Sequence, residues 1–548
     1  MVEIVKRYCN ILLCALVIVI PLLMPFIKGP FQNDLLIFPI IITCLLQFIF
    51  LLISFLMYDR SERKLYLSKI DICVGLFLGY VFLQWLFGKN DNTGEIAIFR
   101  WLMIVIVYLL SRIVVHSMLY YTLVVSSLLQ AVIAIMQKLN CFQSEHPLFD
   151  VTGTFNNPGP LAGYLATGMI LAIFLLTISF QHWRSVKTLL GVCSILIISI
   201  VLYWTDSRSG LLAIVVGIFI VYRQKIRLFI ANKRILIVSL SIAAVLLIGF
   251  ALWVYRPASA NARLLIWRVS CDMVVDKPIY GHGIGGFDKL YMFYQAKYFA
   301  NHPHSRFLHV SDNVAFPYNE FVHIVVDLGL VGLVLLLLIV VSLLFSLENR
   351  KSEGTKAALS SCLVFAMFSY PSYVAPLLMN FVLFTGIASS RKFVSLSFSR
   401  FSVATGIVLS VVLLVVCFNT MSFCFKNSKL VMAMLKEDKK VLQIELLRRL
   451  PPSCENFCKL GDYYIQQKQY ELSESYYKIA ANMIPTRMSP NYKLWNLYLL
   501  QNDTLNARSM ARYILDQPLK VENSFTLKVK RKIRIFLHED SVKQKTIH

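Results

Sequence analysis

The chain has 548 residues, 57% of them hydrophobic and only 15% charged, with a formal net charge of +24 at pH 7. Soluble globules of this size are far less apolar, so the composition excludes a water-soluble enzyme and points to an all-α, polytopic membrane protein. The basic excess falls largely between apolar runs, where topology and anionic lipid headgroups account for it and no nucleic acid is needed.

Lys6 and Arg7 precede an apolar run from Ile11 to Ile27. No small-residue cleavage site follows and further apolar runs do, so this is a first anchor rather than a signal peptide. Apolar runs predict spans near 9–27, 35–57, 70–88, 96–115, 118–137, 158–180, 188–204, 209–222, 235–254, 320–347, 357–371, 373–389 and 401–420, which makes 12–13 spans. The run at 209–222 and the pair flanking Tyr370 and Pro371 are short against the roughly 20 residues a span requires.

With a cytoplasmic N-terminus, alternate loops carry Lys6, Arg7, Arg60, Arg63, Lys64, Lys69, Arg112, Arg184, Lys187, Arg223, Lys225, Arg227, Lys233, Arg234, Arg350, Lys351, Lys356, Arg391, Lys392 and Arg400. The opposite short loops carry Lys28, Lys89, Lys138 and Arg208. That bias predicts a multi-pass protein of a bacterial inner membrane, with 255–319 and everything after 420 in the periplasm. ATP and nucleotide sugars are absent there, so transfer chemistry on that face needs a preactivated donor. The expected domains are N-terminal spans over 1–254, a large periplasmic loop over 255–319, C-terminal spans over 320–420 and a periplasmic helical domain over 421–548.

Basic residues on the outer side run against the topology signal, so each one needs a reason. Arg208, in Asp-Ser-Arg-Ser-Gly at 206–210, is either an interfacial arginine snorkelling to headgroups or a guanidinium gripping a membrane-level anion. Arg100, near the outer end of its span, is a similar candidate. In the long loop, Arg263 and Arg268 flank Trp267 on a predicted short amphipathic helix, which suits the membrane interface or a substrate. The turn holding Gly281 and Gly283 permits positive φ and close backbone approach to a ligand. Asn319 and His323 are predicted on one helix face. Glu320 stands at the mouth of the following span, where an ionisable residue is either functional or a partner of the helix dipole. His302, His304 and His309 are irregularly spaced, as surface histidines are, and the 12 cysteines are scattered. Cys454 and Cys458 have the spacing of helix packing, so no metal and no cofactor is expected.

After the last span the chain becomes polar and tyrosine-rich, with a period of 34 residues. Leu460, Gly461, Tyr464, Ser473, Tyr477, Ala480 and Pro485 follow the tetratricopeptide spacing, echoed by Leu494, Trp495, Tyr498, Ala507 and Ala511. Such a module either holds a protein partner or packs on the membrane core, and part of 427–453 is expected to cap it. The basic tail after Val521 suits a solvated helix face or anionic lipid equally.

Taken together, Gly-Thr-Phe-Asn-Asn-Pro at 153–158, the element around Arg208, the segment 261–287 and Asn-Glu-Phe-Val-His at 319–323 resemble the O-antigen ligase and polymerase superfamily. The resemblance covers roughly 150–345, and the C-terminal repeats are similar to the extension on members from Bacteroides-type bacteria. It implies metal-independent transfer of a glycan from an undecaprenyl-pyrophosphate carrier to an acceptor hydroxyl: lipid A core, a growing glycan or a protein. The arginines would bind pyrophosphate, and Asn156, Trp267, Gly281, Gly283 and Asn319 would line the substrate loop. Many ligases carry His where this chain has Tyr318. A tyrosine with an ordinary pKa near 10 is a poor base at neutral pH, which shifts that role to Glu320 or His323. The alternatives are a transporter or flippase for lipid-linked glycan, an oligosaccharyltransferase acting on protein, and a scaffold recruiting other enzymes through the repeats.

Overall fold

The computed structural model describes residues 2–26, 32–56, 64–87, 92–113, 118–144, 146–179, 186–229, 257–346, 353–389, 394–397, 400–436 and 451–547. In chain order the first helices are α1 (Val2–Leu23), α2 (Gln32–Leu56), α3 (Lys69–Phe87), α4 (Asn92–Ile113), α5 (Met118–Lys138), α6 (Pro158–Ser179), α7 (Val186–Thr205) and α8 (Arg208–Phe229). Next come α9 (Pro257–Asp276), α10 (Gly286–Asn301), α11 (Glu320–Ser346), α12 (Glu353–Ala366), α13 (Ala375–Ala388) and α14 (Arg400–Lys436). The last are α15 (Cys454–Gln466), α16 (Tyr470–Met483), α17 (Met488–Leu500), α18 (Thr504–Asp516) and α19 (Ser524–Ile547). Two four-residue strands, β1 (Lys64–Leu67) and β2 (Val394–Ser397), pair antiparallel with Lys64 opposite Ser397. The fold is otherwise helical among the described residues, as the composition requires.

The spans expected from the sequence fall on α1–α8 and α11–α14, while the one at 235–254 lies outside the described residues, as do Arg60, Arg63, Arg184, Arg350 and Arg391. Eight helices among the described residues are long and apolar enough to cross a membrane: α1, α2, α3, α5, α6, α7, α11 and α14. Charges shorten the apolar stretches of α4 and α8. With 14 residues each, α12 and α13 reach only about 21 Å, less than the hydrocarbon thickness.

The chain divides into two compact units, Met1–Ile248 with Tyr318–Ala433, and Gly249–Pro317 with Met434–His548. In the first unit α6 is the hub: 67% of its span is buried, against 17% for α14, and it packs on α5, α7, α8 and α12. Ala162, Ala166 and Ala172 are wholly buried, and such small residues let membrane helices approach closely. The turn leading into α6 is clamped by two side chains of α5. Gln137 accepts from the amides of Thr152 and Gly153 at 2.9 and 2.8 Å and donates to the Gly153 carbonyl at 2.7 Å. Gln130 accepts from the amide of Thr154 at 3.1 Å. At the other end of the bundle Arg112 of α4 grips Asp71 of α3 through two bonds of 2.7 and 2.8 Å, and both side chains are buried.

The second unit joins the long polar loop to the C-terminal repeats. From α15 to α17 and from α16 to α18 each helix start is displaced by 34 residues, and the turns between paired helices carry a left-handed residue at the equivalent position, Lys468 and Asn502, both at φ 57°. Within the unit α10 packs on α16, where the buried Gln295 amide donates to the carbonyls of Met483 at 2.7 Å and Asp312 at 3.1 Å. Asn313 accepts from the Cys454 amide at the start of α15. Asp312 receives Arg487 at 3.2 Å and Lys520 at 2.9 Å. Partial burial opposes ionisation of Asp312, but bonding to Lys520 and the Asn313 amide and the charge of Arg487 outweigh it and hold the carboxyl below its usual value. A carboxyl depressed by folding contributes stability above its unfolded pKa, and loses it as pH falls through the folded one. Hydrogen exchange of residues 454–516 in the full-length protein is therefore expected to show weaker protection in Asp312→Asn than in wild type at pH 7. That difference should close at acidic pH, below the depressed value.

Candidate functional site

The α11 helix begins in a constrained way. Tyr318 adopts φ 53°, a left-handed conformation unusual for a non-glycine residue, and its ring meets Tyr370 edge-on at 5.3 Å. Asn319 is the N-cap: its side-chain oxygen accepts from the amides of Phe321 at 2.9 Å and Val322 at 3.2 Å. The residue expected beside His323 on a helix face therefore uses its carbonyl to start the helix instead.

Glu320, the first helical residue, reaches across to the break between α12 and α13. One carboxylate oxygen accepts from the Ser372 amide at 2.8 Å, and the Ser372 hydroxyl lies 2.7 Å from both oxygens. The second oxygen is 3.2 Å from Nδ1 of His323, one turn further along. His323 is buried, with Nε2 at 3.1 Å from the Tyr373 hydroxyl and 3.4 Å from the Asp327 carboxylate. The guanidinium of Arg100 sits 4.6 Å over the Tyr373 ring, a cation–π distance. Two carboxylates, an imidazole, a phenol and an arginine thus form one connected polar group at the end of an apolar bundle. Buried polar groups of this kind polarise one another and can pass a proton along the chain of bonds.

Three of these residues were not singled out from the sequence. Asp327 was within reach of pattern reasoning, since it lies four residues after His323 on the same helix face. Ser372 and Tyr373 were not, because they sit about 50 residues away in a short 3₁₀ turn, Pro371–Tyr373. The doubtful pair of spans flanking Pro371 was the one local sign of that break.

The other candidates are placed as follows. Arg208 is the half-buried first residue of α8, after Asp206 at φ 50°, and the Ser207 and Ser209 hydroxyls lie 3.3 Å apart beside it. A helix N-terminus disfavours a cation, so the arginine there is not explained by helix stability. Asn156 is exposed in the turn before α6. Arg263 is half-buried on α9 in the second unit. Arg268 is exposed and pairs with Asp272 at 3.1 Å, a surface ion pair of small energy. The helix carrying these residues is 20 residues long rather than short. Its apolar face, Leu265, Ile266, Val269 and Met273, is buried in the protein. Trp267 donates its indole N–H to the Pro317 carbonyl at 3.1 Å and so ties the start of the loop to its end. Gly281 and Gly283 take φ 72° and 88°, the positive values that glycine permits, in the turn joining α9 to α10. No group of three or more His, Cys, Asp and Glu among the described residues is set to hold a metal ion.

Residues 193–337 match the family model described as O-Antigen ligase. A curated protein of Rickettsia felis (strain ATCC VR-1525 / URRWXCal2), described as "Putative polysaccharide ligase", is 31% identical over 111 residues. The similarity takes in 20% of this chain and 25% of the relative, so the chain spans about a quarter of the length of the curated relative it matches. The matched segment contains Arg208, Arg263, Glu320, His323 and Asp327, and the chain is a multi-pass membrane protein whose central segment is similar to the O-antigen ligase family model.

Proposed function

We propose that this protein transfers a glycan from a polyprenyl-pyrophosphate carrier to an acceptor hydroxyl at the outer face of a bacterial inner membrane. The observation that carries the reading is the connected group Glu320, His323, Asp327, Tyr373 and Arg100, whose α11 members lie inside the matched segment. A lipid pyrophosphate is anionic, membrane-anchored and already activated. An enzyme using it needs cations for the leaving group and a proton route for the acceptor, with no nucleotide. Arg208 is assigned to the pyrophosphate and Arg100 to the edge of the acceptor site. Glu320 and His323, hydrogen-bonded through Nδ1, are assigned to take and share the acceptor proton, and Tyr318 to shape the entrance.

Membranes containing the purified protein, supplied with lipid-linked glycan and an acceptor, are expected to release the pyrophosphate carrier and lengthen or decorate the acceptor. Movement of intact donor across the bilayer without product would establish a transporter instead. In cells lacking the protein, loss of lipid-attached long chains identifies a ligase, single-repeat products a polymerase, and unglycosylated secreted proteins an oligosaccharyltransferase. Cysteine labelling is expected to find Trp267 and Tyr464 on the periplasmic side and Lys225 on the cytoplasmic side. Labelling Tyr464 from the same side as Lys225 would overturn the outer-face reading.

A further inference from the structure

α11 is broken inside its apolar stretch. Gly329 stands at φ 68° and ψ −170°, a region of backbone space that is essentially glycine's alone. Three residues on, a Cβ at Gly332 would lie 2.3 Å from the Cβ of Leu328, so the chain folds tightly over itself at the break and two glycines of Asp-Leu-Gly-Leu-Val-Gly are needed for it. A broken helix in hydrocarbon must have its backbone groups satisfied by neighbours. Here the Tyr80 hydroxyl of α3 donates to the Leu328 carbonyl at 2.8 Å and accepts from the side-chain amide of Gln84 at 2.8 Å. Leu328 directly follows Asp327, whose carboxylate is 3.4 Å from Nε2 of His323.

We propose that Tyr80 is a positioning residue. Its bond to the Leu328 carbonyl fixes the break in α11, and the break sets the placement of Asp327 against His323. In a continuous helix the carboxylate four residues after a histidine has a fixed relation to it. In this helix the backbone just beyond Asp327 turns away, and the Tyr80 hydroxyl of α3 bonds to the carbonyl at that turn. The groups facing the imidazole are Glu320 and Asp327 of its own helix and Tyr373 of the 3₁₀ turn, with Arg100 of α4 behind the Tyr373 ring. A shift of Asp327 therefore alters what His323 senses.

The consequence for transfer rests on the glycan-transfer reading above, whereas the effect on His323 does not. The test takes the full-length protein in detergent with isotope-labelled histidine, His323 being assigned by comparison with His323→Ala. Tyr80→Phe removes the one hydroxyl and keeps the ring. We expect it to displace the His323 chemical shift and its titration midpoint while the other imidazoles stay unmoved and thermal unfolding changes little. Gly329→Ala, where it folds, should displace the same resonance. In the transfer assay Tyr80→Phe is expected to lower kcat by roughly 100-fold with the KM for donor unchanged, the size of effect a small misplacement at a reacting centre produces. An unmoved His323 resonance in Tyr80→Phe overturns the proposal whatever the activity. A displaced resonance in a protein with no transfer in the wild type upholds the positioning and removes the glycan-transfer reading instead.

Discussion

Arg208→Lys is expected to reduce glycan transfer by about 10² to 10³-fold, a loss of about 2.7 to 4 kcal/mol of transition-state stabilisation, the range seen for one preorganised donor. The substitution keeps the charge, the length and the position at the start of α8. What it removes is the planar fork that bonds two phosphate oxygens at once, and an ammonium replaces that with a point charge. The placement favours this outcome. A helix N-terminus repels a cation by about 0.3 to 1 kcal/mol, and Arg208 is nevertheless the first residue of α8 and half-buried. Snorkelling to headgroups would satisfy lysine equally well, so the comparison separates the two explanations. Transfer should be measured against protein level in membranes, with donor varied. A well-expressed Arg208→Lys protein with wild-type transfer would remove the bidentate role.

The second large effect is expected at Glu320. Glu320→Gln should lower transfer by about 10² to 10⁴-fold, the usual contribution of a positioned acid or base, while Tyr318→Phe stays within about tenfold of wild type on the same scale. The carboxylate accepts from the Ser372 amide and hydroxyl and meets Nδ1 of His323, with only 13% of its side chain exposed. Glutamine presents an amide NH₂ to one of these donors and leaves a buried group unpaired, which also costs stability. Ser372→Ala separates the two consequences: it loosens the tie between α11 and the 3₁₀ turn but leaves a carboxylate to take the proton. If the role is chemical, Ser372→Ala keeps most of the activity that Glu320→Gln loses at matched protein levels. Phenylalanine keeps the ring against Tyr370 and the left-handed backbone of Tyr318. Full activity in Glu320→Gln together with its loss in Tyr318→Phe would move the proton to the tyrosine.

Residue order alone was enough to locate the apolar helices of the first unit among the described residues, because a run of about 20 apolar residues has one stable form in lipid and needs no partner to take it. The 34-residue period was legible for a similar reason: each repeat reuses the same local packing, and the structure returns it as helix starts at Cys454 and Met488 with a left-handed turn residue at the equivalent position after each first helix. The positive φ at Gly281 and Gly283 and the ionisable residues at the mouth of α11 were also visible in the chain, since both follow from single residue types in a local setting. Tertiary structure decided which of those residues meet. Glu320 finds Ser372, His323 finds Tyr373, and Arg100 finds the same ring, across separations of about 50 residues or more that no periodicity encodes. It also decided that Trp267 and Asn313 tie chain segments together, that the polar loop and the repeats make one unit, and that α11 breaks at Gly329 with the Tyr80 hydroxyl donating to the Leu328 carbonyl. A sequence pattern records what each segment buries, but the partner of a buried polar group is fixed only when distant segments compete to satisfy it.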